Sequence, residues 1–213
     1  MGNLYPIYLN LEGQLCLVVG GGKVAERKIG SLLECGARVR LVSPQVTDQI
    51  KKWADLGQIE LLQREYRPSD LTGSFLVFAT TDNAEVNCQV ARDCEERHLP
   101  VNVADNPTHC SFFVPSVIRR GKLSIAISTG GSSPKLAAKI RRQLESQFGP
   151  EYAEFLDLLS DVRRQVLADV EDIGQRQAIF YSLVESDILD LLKNKKYDQV
   201  KERLKNAYSG YRS

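Results

Sequence analysis

Leu15-Cys16-Leu17-Val18-Val19-Gly20-Gly21-Gly22-Lys23-Val24-Ala25 is a short apolar run that breaks into three glycines and then into a helical pattern. The run has the length and composition of a buried strand. Ala25, Ile29, Leu32 and Leu33 follow at i, i+4, i+7 and i+8, one face of a helix that Gly36 can close. Gly20, Gly22 and Ala25 fit the pattern G-x-G-x-x-G/A. The first glycine permits a tight turn, and the second lets backbone approach a pyrophosphate. Alanine in the third place still permits close helix–strand packing. The helix N-terminus then offers free N–H groups and a positive dipole end to phosphate. Dinucleotide binding through Gly20, Gly22, Lys23 and Val24 is the expectation; a glycine turn that only packs tightly is the competing reading.

Outward from this stretch, strand and helix signals alternate. Residues 38–42 read as a strand, 46–56 as a helix, 59–62 as a weaker strand and 75–79 as a buried strand. A helix with Val86, Val90 and Cys94 on one side comes next, then a strand at 101–103. Such alternation predicts a parallel sheet with helices on both faces. The pattern changes near residue 111. Residues 112–115 and 123–128 read as two strands joined through a basic turn at 119–122, followed by a helix with Leu136, Ile140, Leu144 and Phe148 along one face. Beyond Pro150 only helical stripes remain: Phe155, Leu158, Leu159, Val162 and Val166, then Ile179, Phe180 and Leu183, then Val200 with Leu204.

The 213 residues carry 28 basic and 27 acidic side chains, with 43% hydrophobic and 26% charged residues. These are globular proportions, and a net charge of +1 gives no overall field for nucleic acid or a membrane surface. They exclude a disordered chain, a collagen-like repeat and a small disulfide scaffold. The first ten residues lack the order of a secretory signal, and no apolar run approaches the ~20 residues that cross a bilayer. Cys16, Cys35, Cys88, Cys94 and Cys110 are an odd set without a CxxC pair, several among apolar neighbours. A reducing, cytoplasmic location is expected, with no metal site.

Candidate chemistry sits where strands end. About 20 residues past a glycine loop of this kind, an acidic residue ordinarily holds the ribose hydroxyls; here stand Ser43 and Pro44. Ser43 could bond a ribose, while Arg38 or Arg40 could favour a 2′-phosphate, so NAD and NADP both stay open. Thr80, Thr81 and Asp82, with Asn83, could touch a cofactor or cap the next helix. Asp105 follows another strand, where a carboxylate could accept a proton as hydride leaves, or form a turn before Pro107. His109 and Cys110 lie in the same loop without the fixed spacing of a structural metal site, and His98 reads as a surface residue. In Ser128-Thr129-Gly130-Gly131-Ser132-Ser133-Pro134, Ser133 is a natural N-cap and Pro134 a natural first helical residue. Arg119, Arg120, Lys122, Lys135, Lys139, Arg141 and Arg142 surround this loop in sequence. They make either a solvated basic face or a pocket for a polycarboxylate. Gly22-Lys23 lacks the spacing of a P-loop, and Tyr197 with Lys201 forms a YxxxK pair outside the nucleotide-binding region.

Val18 to Lys28, Ala79 to Asp82, Asn102 to Asp105, Ser111 to Pro115 and Ser128 to Pro134 occur in this order. Together they resemble the precorrin-2 dehydrogenase/sirohydrochlorin ferrochelatase family, which also forms the N-terminal half of siroheme synthases. The resemblance covers essentially the whole chain. It implies an α/β protein with a Rossmann-type NAD-binding domain at 1–112, a small α+β dimerisation segment at 113–149 and an all-helical C-terminal domain at 150–213. It also implies a homodimer that oxidises precorrin-2 to sirohydrochlorin with NAD and, in some members, inserts ferrous iron to give siroheme. The family's key aspartate maps onto Asp105. Ser111, Thr129, Gly130, Gly131 and Ser132 become expected substrate contacts. The alternative is an NAD-sensing regulatory module without catalysis, which needs neither Asp105 nor the basic middle segment.

Overall fold

The structure, a computed structural model, describes residues 4–104 and 106–209. Contacts divide it into two units, Met1–Val114 and Pro115–Ser213.

The first unit is built on β1 (Leu15–Val19), whose residues from Cys16 onward are all buried, as a strand covered on both faces must be. Around it stand α1 (Lys23–Glu34), β2 (Arg38–Val42), α2 (Asp48–Asp55), β3 (Ile59–Leu62), β4 (Leu76–Ala79), α3 (Ala84–Glu96) and β5 (Val101–Val103). The sheet is parallel throughout, in the order β3-β2-β1-β4-β5. Alternate residues of β1 supply two cores. Cys16 and Val18 pack with Ile29, Leu41 and Ile50 on one face; Leu17 and Val19 pack with Val77, Val90 and Cys94 on the other. The chain builds from β1 out to β3, then returns to place β4 on β1's other side. The carboxyl ends of β1 and β4 therefore flank the switch point where sheets of this kind bind ligands.

Local signals explain the boundaries. Gly36 adopts φ +71° after α1, and its N–H donates to Leu33 O at 3.0 Å, a left-handed helix end that glycine takes without steric cost. The helix expected at 46–56 starts later, at Asp48, because the Thr47 hydroxyl accepts the Ile50 N–H and caps it.

The second unit opens with an antiparallel ribbon of β6 (Ser116–Arg120) and β7 (Leu123–Ile127). This corrects the expected strand at 112–115. Pro115 has no N–H for a ladder, and pairing begins one residue later, so Arg119 and Arg120 lie in the strand rather than in the turn. Helices α4 (Pro134–Glu145), α5 (Glu151–Asp169), α6 (Ile173–Val184), α7 (Ile188–Lys193) and α8 (Tyr197–Ser209) follow. Phe155, Val166, Ile179, Leu183, Ile188, Leu192 and Val200 form the helical core. The fold is α/β, a Rossmann-type sheet followed by a small ribbon and a helical region. Among the described residues no helix is long and apolar enough to cross a membrane.

Candidate functional site

Gly20, just past the last residue of β1, stands at φ +105°, and a Cβ there would lie 2.8 Å from the Thr80 carbonyl carbon and the Thr81 nitrogen. Glycine alone fits between the β1 and β4 ends. A Cβ on Gly21 would overlap the Gln45 carbonyl oxygen, whereas one on Gly22 would meet nothing within 4 Å. No side chain caps α1 at Gly22. The loop therefore holds two glycines for packing and one facing open space beside an uncapped helix N-terminus, where a pyrophosphate would need backbone access. Val24 and Lys23 are exposed in that first turn. Lys23 pairs with Glu26 at 3.0 Å, and the Thr47 hydroxyl donates to the same carboxylate at 2.6 Å. The Thr47 bond, then the Lys23 bond, holds the Glu26 carboxyl below its usual range.

At the end of β2, Ser43 is buried and its hydroxyl donates to Gln45 O at 2.6 Å, leaving oxygen lone pairs as its remaining capacity. Pro44 O accepts from Gln63 Nε2 at 3.4 Å. Arg40 bonds its cross-strand neighbour Glu60 at 2.9 Å, and Arg38 begins β2, at the edge of the sheet opposite the carboxyl ends. Neither arginine is free at the β2 carboxyl end to meet a 2′-phosphate.

After β4, Thr80 is buried and its N–H and hydroxyl both bond Val19 O. The Thr81 hydroxyl bonds the buried Asn87, whose amide returns a bond to Thr81 O at 2.9 Å. Asn83 caps α3 through the Glu85 and Val86 N–H groups. Asp82 is exposed. Capping thus falls to Asn83, and the two threonines set the course of the loop. Asn87 was missed from sequence, because a polar residue inside a helix ordinarily faces water.

Asp105 lies outside the described residues. Around it, the Ala104 N–H donates to Ala79 O at 2.8 Å, and Cys110 Sγ accepts the Val103 N–H at 3.2 Å and donates to Val103 O at 3.3 Å. Ser111 is spent on β5's first residue: its hydroxyl accepts the Val101 N–H at 2.7 Å. His98 and His109 are exposed. Among the described residues no three His, Cys, Asp or Glu side chains gather as metal ligands. None of the five cysteines is in a disulfide among the described residues, and burial first of all pushes the Cys16 thiol up to about 11 and Cys94 to about 12.

In the second unit, Gly130 and Gly131 adopt φ +59° and +83°. Thr129 Oγ1 accepts the Ser133 N–H, Thr129 O accepts the Ser132 N–H, and Ser133 Oγ caps α4 through Leu136 N–H at 3.2 Å. The basic cluster is thinner than the sequence suggests. Arg120 bonds the Phe148 carbonyl, Lys122 bonds Asp157 and Ser160, Arg141 pairs with Glu145, and Arg119 is likewise engaged. Lys135, Lys139 and Arg142 remain exposed. Tyr197 and Lys201 lie on α8, in the helical unit.

A family model described as "Putative NAD(P)-binding" matches residues 7–116, and one described as "Sirohaem biosynthesis protein central" matches residues 120–147. The solved structure of SirC, precorrin-2 dehydrogenase, superposes with a TM-score of 0.77 at 26% identity, covering 93% of this chain and 100% of that one. The chain belongs to the precorrin-2 dehydrogenase/sirohydrochlorin ferrochelatase family. Within it, the siroheme synthase of Pseudomonas paraeruginosa is 38% identical over 185 residues, and that of Thioalkalivibrio sulfidiphilus 36% over 205. These matches cover 87% and 96% of this chain but 40% and 42% of the relatives, so the chain spans less than half their length. The glycine loop lies within the region matched by the NAD(P)-binding model, with open space at Gly22.

Proposed function

We propose that the protein oxidises precorrin-2 to sirohydrochlorin with NAD, a step of siroheme biosynthesis. The observation that carries this is the match to the precorrin-2 dehydrogenase SirC, which spans 93% of this chain, together with a glycine loop open at Gly22 on the β1–β4 switch point. NAD supplies the hydride acceptor when bound. Gly20, Gly22, Lys23 and Val24 receive its pyrophosphate. Ser43 and Pro44 border its adenosine ribose, and Thr80, Thr81 and Asp82 border the crevice at the β4 end. The tying-up of Arg40 by Glu60 favours NAD over NADP. Oxidation removes a hydride and a proton, and Asp105, two positions past β5 in sequence, is the proton acceptor. Ser111, Thr129, Gly130, Gly131 and Ser132 are the substrate contacts in this reading, with the Ser111 hydroxyl already bonded to Val101.

Ferrous iron is a second substrate in this reading, inserted into sirohydrochlorin with Asp105 helping to remove pyrrole protons. The protein works in the cytoplasm as a homodimer through the 113–149 segment. A two-stranded ribbon is marginal alone, and Leu136 on the apolar stripe of α4 is 47% exposed, which supports burial against a second copy. Anaerobic incubation with precorrin-2 and NAD, followed by ferrous iron, tests both steps. NADH formation supports the first and accelerated siroheme formation the second; an Asp105→Asn protein that binds NADH but does not turn over supports the assigned base.

A further inference from the structure

Two partly buried cations of the first unit are neutralised. Arg40 is paired with Glu60 and Arg64 with Asp70. Lys28 differs. It sits in α1, partly buried, with Nζ 5.4 Å from the centroid of the Phe78 ring, and among the described residues no carboxylate pairs with it. Phe112 stands edge-on to that ring at 5.4 Å and 86°, which holds the platform in place. Burial, then the neighbouring Arg27 charge, draws the Lys28 amine below its usual range, with an opposing pull from Cys110.

The direction of the side chain gives this position meaning. Side chains on a helix lean toward its N-terminus. The N-terminus of α1 lies at the carboxyl edge of the sheet, so Lys28 leans toward the ends of β4 and β5. Phe78 is the second-last residue of β4, and Cys110 is bonded to Val103, the last residue of β5. A cation drawn out of water costs free energy unless an anion completes it, and a ring face recovers only part of that cost.

We propose that Lys28 is a further substrate-binding residue whose ammonium, seated on the Phe78 ring, takes one carboxylate of the anionic tetrapyrrole at the carboxyl ends of β4 and β5. The inference rests on the function proposed above and names a contact within it. Its test is an anaerobic absorbance titration of the full chain with sirohydrochlorin, beside the kinetics of precorrin-2 oxidation at saturating NAD and NADH binding by fluorescence. Lys28→Gln weakens sirohydrochlorin binding and raises the KM for precorrin-2 by roughly tenfold, the loss expected for one charge-assisted bond. NADH affinity and kcat stay near wild type, and Lys28→Arg recovers most of the loss. Lys28→Met, which keeps the apolar stem, serves if the Gln variant fails to fold. Unchanged sirohydrochlorin affinity overturns the inference, as does a fall in kcat with KM unmoved, which assigns Lys28 to positioning the 104–110 loop. Wild-type protein that binds sirohydrochlorin but leaves precorrin-2 unoxidised counts against the proposed function, while the titration still reads Lys28.

Discussion

Gly20 and Thr80 meet backbone to backbone: a Cβ on Gly20 would stand 2.8 Å from the Thr80 carbonyl carbon. This contact packs the turn after β1 against the turn after β4, and it separates the duties of the three glycines. Gly20→Ala adds a clash and a left-handed strain at φ +105°, together costing roughly 2–4 kcal/mol. Gly22→Ala adds neither, since its φ is −82° and its Cβ meets open space. The expected outcome is a destabilised Gly20→Ala protein by thermal melting. Gly22→Ala keeps a melting temperature near wild type, yet binds NADH about tenfold or more weakly because the methyl enters the space proposed for the pyrophosphate.

Cofactor choice follows from the cross-strand pair. With Arg40 on Glu60 and Arg38 at the opposite strand end, neither arginine of β2 rewards a 2′-phosphate. Steady-state kinetics should give a lower KM for NAD than for NADP. Arg40→Ala should leave that ratio unchanged while costing about 1 kcal/mol or less of stability, as an exposed pair does.

Thr81 and Asn87 lock the loop after β4 through reciprocal bonds. Asn87→Ala leaves the Thr81 N–H without its partner while the Thr81 hydroxyl keeps Asn83 O, at about 1–3 kcal/mol. Chemical denaturation should read that loss, and NADH affinity should fall with it because this loop borders the crevice.

Asp70 is buried and holds Arg64 by two bonds of 2.6 and 2.8 Å while accepting the Arg67 N–H at 2.8 Å. The Arg64 bond, foremost, keeps its carboxyl below the usual range. A carboxyl lowered on folding contributes stability that is fully present above its unfolded value of about 3.9 and is lost as pH falls through the folded value. Arg64→Ala should lower stability at neutral pH, because it leaves the buried Asp70 carboxylate without its ion partner. Its stability should fall less than that of wild type on acidification, measured by melting temperature between neutral pH and the lower end of the carboxylate range.

The parallel sheet was legible because β1 and β4 are short apolar runs with turn residues at their ends, a pattern that both buried faces demand. The glycine loop was legible for the same reason: its spacing has a mechanism. The strand at 112–115 misled because Phe112, Phe113 and Val114 have strand chemistry while Pro115 cannot join a ladder; the apolar run leads into the strand instead of forming it. α7 was unread because its six residues complete too few turns to reveal a period. At the site, the roles of Ser43 and Arg40 depend on partners at Gln45 and Glu60. Arg40 and Glu60 meet only through sheet register, which single-sequence spacing does not carry. Lys28 carries no spacing signal of its own, because Phe78, fifty residues away, comes beneath it only in the fold.

The most direct measurement is anaerobic incubation of the protein with precorrin-2 and NAD, following NADH and sirohydrochlorin together. The account predicts one NADH for each sirohydrochlorin formed, with turnover abolished in Asp105→Asn while NADH binding persists. Absence of NADH in the wild-type protein, with NAD bound, would contradict it and leave a cofactor-binding module without this chemistry.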